Sequence, residues 1–255
     1  METISDVGNR ILGETGAVPG PEIVIPHVQT VCESNCPLCG GIGWLSSGIT
    51  DIHHPNFGRL IRCPNVSLFK VYGKKTGLTE DEWGLTWDDL KERENIMDGI
   101  EAVYQAIYQR YGWVFLWGDY GLAKTIMLKI AAASSLRLQT PAVYVRMEEI
   151  LDNLRAAFDV KSPSFESQRR LEWWVDLPML CIDEFDKVYE TEYAIRRRFL
   201  LMDHRYEAAI GRKSITIIAS NLAPEKFEGY LYDRIGDRRF AVVHLTGTSY
   251  RKIAR

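Results

Sequence analysis

From residue 92 onward the apolar positions follow two periods in turn. Ile96, Ile100, Val103, Tyr104, Ile107 and Tyr108 fall at i, i+4, i+7, i+8, i+11 and i+12, which sets them on one face of an α-helix. Short apolar runs follow at 113–117 (WVFLW), 142–146 (AVYVR), 178–183 (PMLCID), 214–220 (SITIIAS) and 240–245 (FAVVHL). Helical stretches lie between them, at 147–158 and 165–176 with a break at Ser162 and Pro163, and at 191–210. Strands alternating with helices predict an α/β architecture, a mainly parallel five-stranded sheet covered by helices as an αβα sandwich.

Upstream the periodicity is lost. Residues 1–31 scatter Gly and Pro (GAVPGPEIVIP) and read as a flexible arm. A cysteine-rich module occupies 32–72, and 73–91 mix turn formers, acids and tryptophans in the manner of a linker docked on the domain at 92–255.

Composition narrows the choice. A chain of 255 residues, 46% of them hydrophobic, can bury one sizeable core plus a small appendage. A net charge of -3 and a pI near 6 exclude a globally basic nucleic-acid binder and leave room only for a local contact. The first thirty residues show no basic start followed by an apolar core, and no run approaches the roughly 18 apolar residues that span a bilayer. A soluble, cytoplasmic protein is expected. Of five cysteines, four crowd between 32 and 63 and Cys181 stands alone in an apolar run; an odd, clustered count favours metal over disulfides.

The stretch FLWGDYGLAKTIMLKIA at 115–131 runs from a strand into a glycine turn and then a helix. It meets G-x-x-x-x-G-K-[ST] at Gly118, Lys124 and Thr125, with Ala123 in place of the second glycine and an extra Gly121 inside the loop. Backbone N–H groups from Gly118, Asp119, Tyr120, Gly121, Leu122 and Ala123 through to Ile126 would wrap phosphates. Lys124 would reach the outer ones and the Thr125 hydroxyl would hold magnesium. Alanine restricts positive φ, so the substitution is harmless if residue 123 takes a helix-compatible angle at the first turn.

Three further signals fit phosphoryl transfer. MLCIDEFDKV ends a strand in Asp183, a candidate magnesium ligand, and Glu184, a candidate base for the attacking water. SITIIASNL ends in Asn221, a polar group able to orient that water. Arg234, Arg238 and Arg239 precede the last strand and Arg251 follows it, and an arginine lent by a neighbouring subunit would tie hydrolysis to assembly.

Taken in order, WDDL, GWVFLWGDYGLAKT, YVRMEEILDNLRAAF, LCIDEFDKV, HRYEAAIGRKSITIIASNL, LYDRIGDRRF and TSYRK resemble the AAA+ ATPases. Within that class they are similar to the bacterial helicase loaders DnaC and DnaI and the IstB transposition helpers, over residues 85–255. The resemblance implies ATP with Mg2+ as cofactor. It implies Walker A roles for Lys124 and Thr125, Walker B roles for Asp183 and Glu184, sensor 1 at Asn221, an arginine finger at Arg234 and the sensor 2 arginine at Arg251. Ala123 and the pair Ile126-Met127 depart from the loader pattern, though neither removes a group that touches phosphate.

In CESNCPLCGGIGW, Cys36 and Cys39 form a Cys-x-x-Cys turn followed by glycine, with Cys32 before it and Cys63 in LIRCPN. Such a turn suits tetrahedral Zn2+, and so short a segment with few large apolar side chains needs a staple. Similar loader modules carry Cys-x-Cys in the second half. Here Asn65 takes the last position, so Cys32 is the first choice of fourth ligand, with His53 or His54 as substitutes.

Arg169-Arg170, Arg196-Arg197-Arg198 and Arg212-Lys213 are candidate DNA phosphate contacts set against the reading of solvated helix faces. Trp173 and Trp174 read as packing residues. The favoured expectation is an ATP-dependent loader that self-associates into a spiral on single-stranded DNA while its N-terminal module grips a replicative helicase. The alternative is an ATPase that assembles on duplex DNA and recruits a transposase. A third reading is a nucleotide-binding scaffold in which Ala123 has ended turnover.

Overall fold

The computed structural model describes residues 32, 35–55, 57–90, 94–159, 163–227 and 229–249. The arm at 1–31 and Arg251 lie outside the described residues. Strands β1 (Trp44–Ser46) and β2 (Leu60–Arg62) form an antiparallel ribbon, followed by helix α1 (Leu68–Tyr72) and three single turns of 3-10 helix at Gly73–Thr76, Glu80–Gly84 and Trp87–Asp89. Then come α2 (Glu94–Gln109), β3 (Gly112–Trp117), α3 (Lys124–Arg137), β4 (Ala142–Arg146), α4 (Met147–Arg155) and α5 (Pro163–Val175). The chain continues through β5 (Met179–Asp183), α6 (Glu192–Ile210), β6 (Ile215–Ser220), α7 (Gly229–Ile235) and β7 (Ala241–His244).

Five strands make one sheet in the order β4-β5-β6-β3-β7, and every neighbouring pair is parallel. β5 and β6 are buried throughout, as continuous apolar strands covered on both faces must be. Alternation along the strands divides the core. Val114, Leu116, Cys181, Ile215 and Ile217 pack on one side with Ile96, Ile100, Met127 and Leu128 of α2 and α3. Trp113, Phe115, Leu180, Ile182 and Ile218 pack on the other with Ile150, Leu154, Leu171, Leu201 and Leu231. The first cluster also takes in Cys36, Cys63, Leu68 and Trp87, so the cysteine segment and the sheet share one continuous core.

Residues 73–90 lie against α3. Arg137 donates to Trp83 O at 2.8 Å and Leu85 O at 2.6 Å, and Lys129 Nζ is 2.5 Å from Glu82 Oε1. Two of the turns are closed by reciprocal caps, Thr79 with Glu82 and Thr86 with Asp89. Pro163 opens α5, where its missing N–H costs nothing. Thr191 caps α6 by accepting from Ala194 N at 3.2 Å. Trp174 is buried, whereas Trp173 is 38% exposed and meets the Trp174 ring in a T-shaped contact, so the packing expected of the pair falls mainly to Trp174.

One buried cation organises the second layer. Arg205 of α6 is fully buried and donates to Thr216 Oγ1 at 2.9 Å, Val175 O at 2.9 Å, Leu177 O and Ile215 O. It binds carbonyls at the end of α5, in the link to β5 and at the start of β6, and so ties α6 to α5 and β6. Burial pushes its pKa down to about 9.

Candidate nucleotide site and cysteine cluster

The strand order places β6 between β3 and β5, so the carboxyl ends of three adjacent strands present the 118–125 turn, Asn221 and Asp183 along one edge. This edge, where the chain leaves the sheet, is where open parallel sheets bind ligands.

The glycine turn folds over its own lysine. Lys124 is buried and its Nζ donates to Gly118 O at 2.6 Å and Asp119 O at 2.8 Å. Burial pushes its pKa down, opposed by the nearby carboxylates of Asp186, Asp183 and Asp119. Asp119, Tyr120 and Thr125 are exposed, Leu122 is buried, and Ile126 is half-buried against the core. At Gly121 (φ 82°) a Cβ would meet Ser249 Oγ at 2.0 Å, so the extra glycine lets the following segment close on the loop.

Ala123 departs from the sequence expectation. Its φ is 63° and ψ 9°, the left-handed region, and not a helix-compatible angle. The residue sits in that conformation immediately before α3 begins at Lys124. The cost to an L-residue is about 1–2 kcal/mol. The alanine thus takes a backbone conformation that glycine adopts freely, at the expense of local strain.

Asp183 ends β5, and both its oxygens are engaged. Oδ1 accepts the backbone N–H of Glu184 at 2.8 Å and Oδ2 accepts the Tyr144 hydroxyl at 2.8 Å. Burial and the Asp183 charge push the Tyr144 pKa well above its ordinary value, which keeps that proton on the phenol. Glu184 itself sits at φ 48°, a second strained non-glycine residue, and its Oε1 is 2.6 Å from Lys187 Nζ. Lys187 also lies over the Tyr120 ring, 5.3 Å from the centroid. Asn221 binds Asp186, its N–H to Oδ1 at 2.7 Å and Nδ2 to Oδ2 at 3.2 Å.

Sequence reasoning missed Tyr144, Asp186 and Lys187. For Asp186 the D-E-F-D spacing was a usable signal, since a carboxylate three residues past Asp183 returns to the same end of the strand. Arg234 is not beside these groups. It pairs with Asp203 at 2.7 Å and lies on the Tyr206 ring. Arg239 is engaged with Asp237 and the Tyr206 hydroxyl.

Among the candidate DNA contacts, Arg198 is buried, pairs with Glu190 and covers Phe185, so it serves the core. Arg169 and Arg170 share Glu166, Arg197 lies over Tyr193, and Arg212 lies over Tyr111. Arg196 and Lys213 are exposed.

The four clustered cysteines converge. The sulfurs of Cys32, Cys36, Cys39 and Cys63 all lie within 4.8 Å of one another. Cys36 Sγ and Cys63 Sγ are 3.7 Å apart, against a sulfur–sulfur edge of about 3.8 Å for tetrahedral zinc. Supporting donors are in place, Gly43 N to Cys39 Sγ at 3.2 Å and Asn65 Nδ2 to Cys36 Sγ at 3.4 Å. N–H groups of Cys39 and Leu38 draw the Cys36 thiol down to about 6, while burial and the neighbouring sulfurs push Cys32 up to about 12. The fourth member is thus Cys32, the first choice from sequence. His53 and His54 are not in the cluster, and Asn65 supports the Cys36 sulfur through its Nδ2.

The parallel five-stranded sheet, the glycine turn and the acidic strand end make an α/β fold like that of AAA+ proteins, joined to a four-cysteine cluster able to hold zinc. No protein-family model and no curated relative matches the sequence. Among solved structures the chain is similar to DnaA from Aquifex aeolicus bound to AMPPCP, with 17% identity over 65% of this chain and 51% of that one and a TM-score of 0.55. It is also similar to the replication initiator DnaA bound to AMPPCP and single-stranded DNA (16% identity, 67% and 51% coverage, TM-score 0.57). A third likeness is to DnaI (14% identity, 68% and 93% coverage, TM-score 0.52). At these identities the likeness is one of fold, and the chain spans about half the length of the DnaA structures it matches. Among the described residues no helix is long and apolar enough to cross a membrane.

Proposed function

We propose that this chain binds and hydrolyses ATP and uses the cycle to load a replicative helicase onto single-stranded DNA. The observation that carries the ATPase reading is that the turn leading to Lys124, Asp183 and Asn221 all lie at the carboxyl edge of three adjacent strands. Magnesium, when bound, neutralises phosphate charge; Thr125 and Asp183 are the residues that would hold it. Lys124, now bonded to carbonyls of its own loop, would turn to the outer phosphates. Glu184 would accept the proton of the attacking water and Asn221 would orient that water.

Arg234 and Arg251 would complete the site between subunits of an ATP-dependent assembly, with Arg234 serving a neighbour. Cys32, Cys36, Cys39 and Cys63 would hold zinc and fix the module that meets the helicase. Support for a replication role comes from the fold shared with DnaI and with DnaA, the latter bound to single-stranded DNA. The intact ensemble of Lys124, Asp183, Glu184 and Asn221 weighs against a silent scaffold.

Hydrolysis measured with single-stranded DNA, beside a Lys124→Ala variant, tests the ATPase reading; equal rates in the two would end it. Affinity capture with ATP present tests the partner. A stable complex with a transposase and none with a helicase would transfer the role to transposition.

A further inference from the structure

Two segments far apart in sequence meet at Tyr144. Its hydroxyl donates to Asp183 Oδ2 at 2.8 Å while the Glu184 N–H holds Oδ1 at 2.8 Å. Asp183 is buried, so these two donors set the rotation of its carboxylate. Over the Tyr144 ring lies Lys129 Nζ, 5.1 Å from the centroid, and that ammonium is 2.5 Å from Glu82 Oε1. Glu82 is itself fixed, because Oε2 accepts the Thr79 N–H at 3.0 Å. The tyrosine backbone touches the same segment, since a Cβ at Gly77 (φ 72°) would lie 1.7 Å from Tyr144 O. Only glycine allows residues 73–90 to pack so closely on β4.

We propose that Tyr144 is a positioning residue for Asp183, and that through Lys129 and Glu82 it couples the magnesium requirement of the nucleotide site to the docking of residues 73–90. The inference rests on the ATPase reading above. A carboxylate held by two donors keeps a single orientation. Without the phenol O–H it turns about its Cβ–Cγ bond, and part of the metal affinity goes into reordering it. Lys129 and Glu82 hold the ring in the place from which the hydroxyl reaches Asp183. Coupling of this kind is reciprocal, so magnesium and nucleotide tighten the docked segment in return.

Tyr144→Phe keeps the ring and its Lys129 contact and removes only the O–H. In the full chain, MgCl2 is titrated against a fluorescent ATP analogue. The magnesium needed for half-maximal binding rises about fivefold, while affinity for the analogue without magnesium stays at the wild-type value. A tyrosine that only filled space would weaken both alike. Glu82→Gln leaves an oxygen for Thr79 and removes the charge facing Lys129, and here the requirement rises about twofold. Hydrogen exchange at residues 79–90 slows when magnesium and analogue are added to wild type, and does not slow in Tyr144→Phe.

A wild-type magnesium requirement in Tyr144→Phe overturns the positioning role. An unshifted Glu82→Gln, or exchange at 79–90 that ignores the ligands, overturns the coupling. If wild type and Lys124→Ala alike bind no analogue, the nucleotide site itself is refuted. Normal wild-type binding beside an unaffected Tyr144→Phe removes this inference alone.

Discussion

Arg234, in the last turn of α7, is held within its own chain: Nη2 lies 2.7 Å from Asp203 Oδ1 of α6, and the guanidinium rests 4.3 Å from the centroid of the Tyr206 ring. Tyr206 in turn donates to Asp237 at 2.5 Å and accepts from Arg239 at 3.0 Å. An arginine meant for a neighbour's nucleotide must leave this pairing. Both partners are close to one-third exposed, 30% and 29%, so the pair contributes only about 0.5 kcal/mol and release is easy. Arg234→Ala is expected to bind ATP like wild type and to lose hydrolysis, and parallel loss of binding would move the residue out of the finger role. Asp203→Asn, which frees the guanidinium, should let hydrolysis set in at two- to threefold lower protein concentration.

Ala123 supplies a second test. A left-handed alanine at φ 63° stores strain that glycine does not. Ala123→Gly should raise stability by about 1 kcal/mol, less whatever freedom the glycine adds to the unfolded chain. The folded loop keeps its shape, so turnover should change by no more than about threefold. Denaturant titration and an ATPase assay read both effects. A silent protein made fully active by this change would show that the alanine had closed the site.

Arg205 should be among the most costly single positions in the second layer. Its guanidinium is fully buried and satisfies four acceptors on α5, the link to β5, and β6. Arg205→Lys removes the planar fork and leaves buried carbonyls unpaired, and a loss of about 3 kcal/mol is expected. In urea this appears as a lower midpoint at an unchanged slope. A loss under about 0.5 kcal/mol would mean that water replaces the fork.

The five strands of the large sheet were legible because each is a short apolar run between helical stretches, and β3, β5 and β6 are buried almost throughout. Asp183 and Asn221 were legible because they close or follow such a run, and Lys124 because it completes the glycine-turn motif after one. Tyr144 was not, because its role depends on β4 lying beside β5 with Tyr144 opposite Cys181, a pairing across almost forty residues that no local pattern encodes. The Ala123 conformation was misjudged for a related reason. Local propensity favours a helical angle for alanine, but the turn's closure over Lys124 overrides it. Arg234 is legible as a type of residue in a type of place. That Asp203 and Tyr206 restrain it could emerge only once α6 and α7 were packed.

The cysteine cluster gives the last prediction. Cys36, Cys39 and Cys63 are buried in the same continuous core as Leu68, Ile96 and Met127, so the metal state of the cluster should be felt beyond the ribbon. Purified protein is expected to carry about one equivalent of zinc per chain, and less than half an equivalent would count against the site. Removing it with a strong chelator leaves four thiols within 4.8 Å of one another with no charge to organise them. Protease cleavage between residues 35 and 72 should then rise at least tenfold, while the sheet, which has its own core on the α4–α7 side, stays folded by circular dichroism. Cys63→Ser should reproduce the loss of metal and the cleavage together. His53→Ala and His54→Ala should leave both unchanged, because neither imidazole belongs to the cluster. Zinc retained by Cys32→Ser but lost from a histidine variant would reassign the fourth ligand.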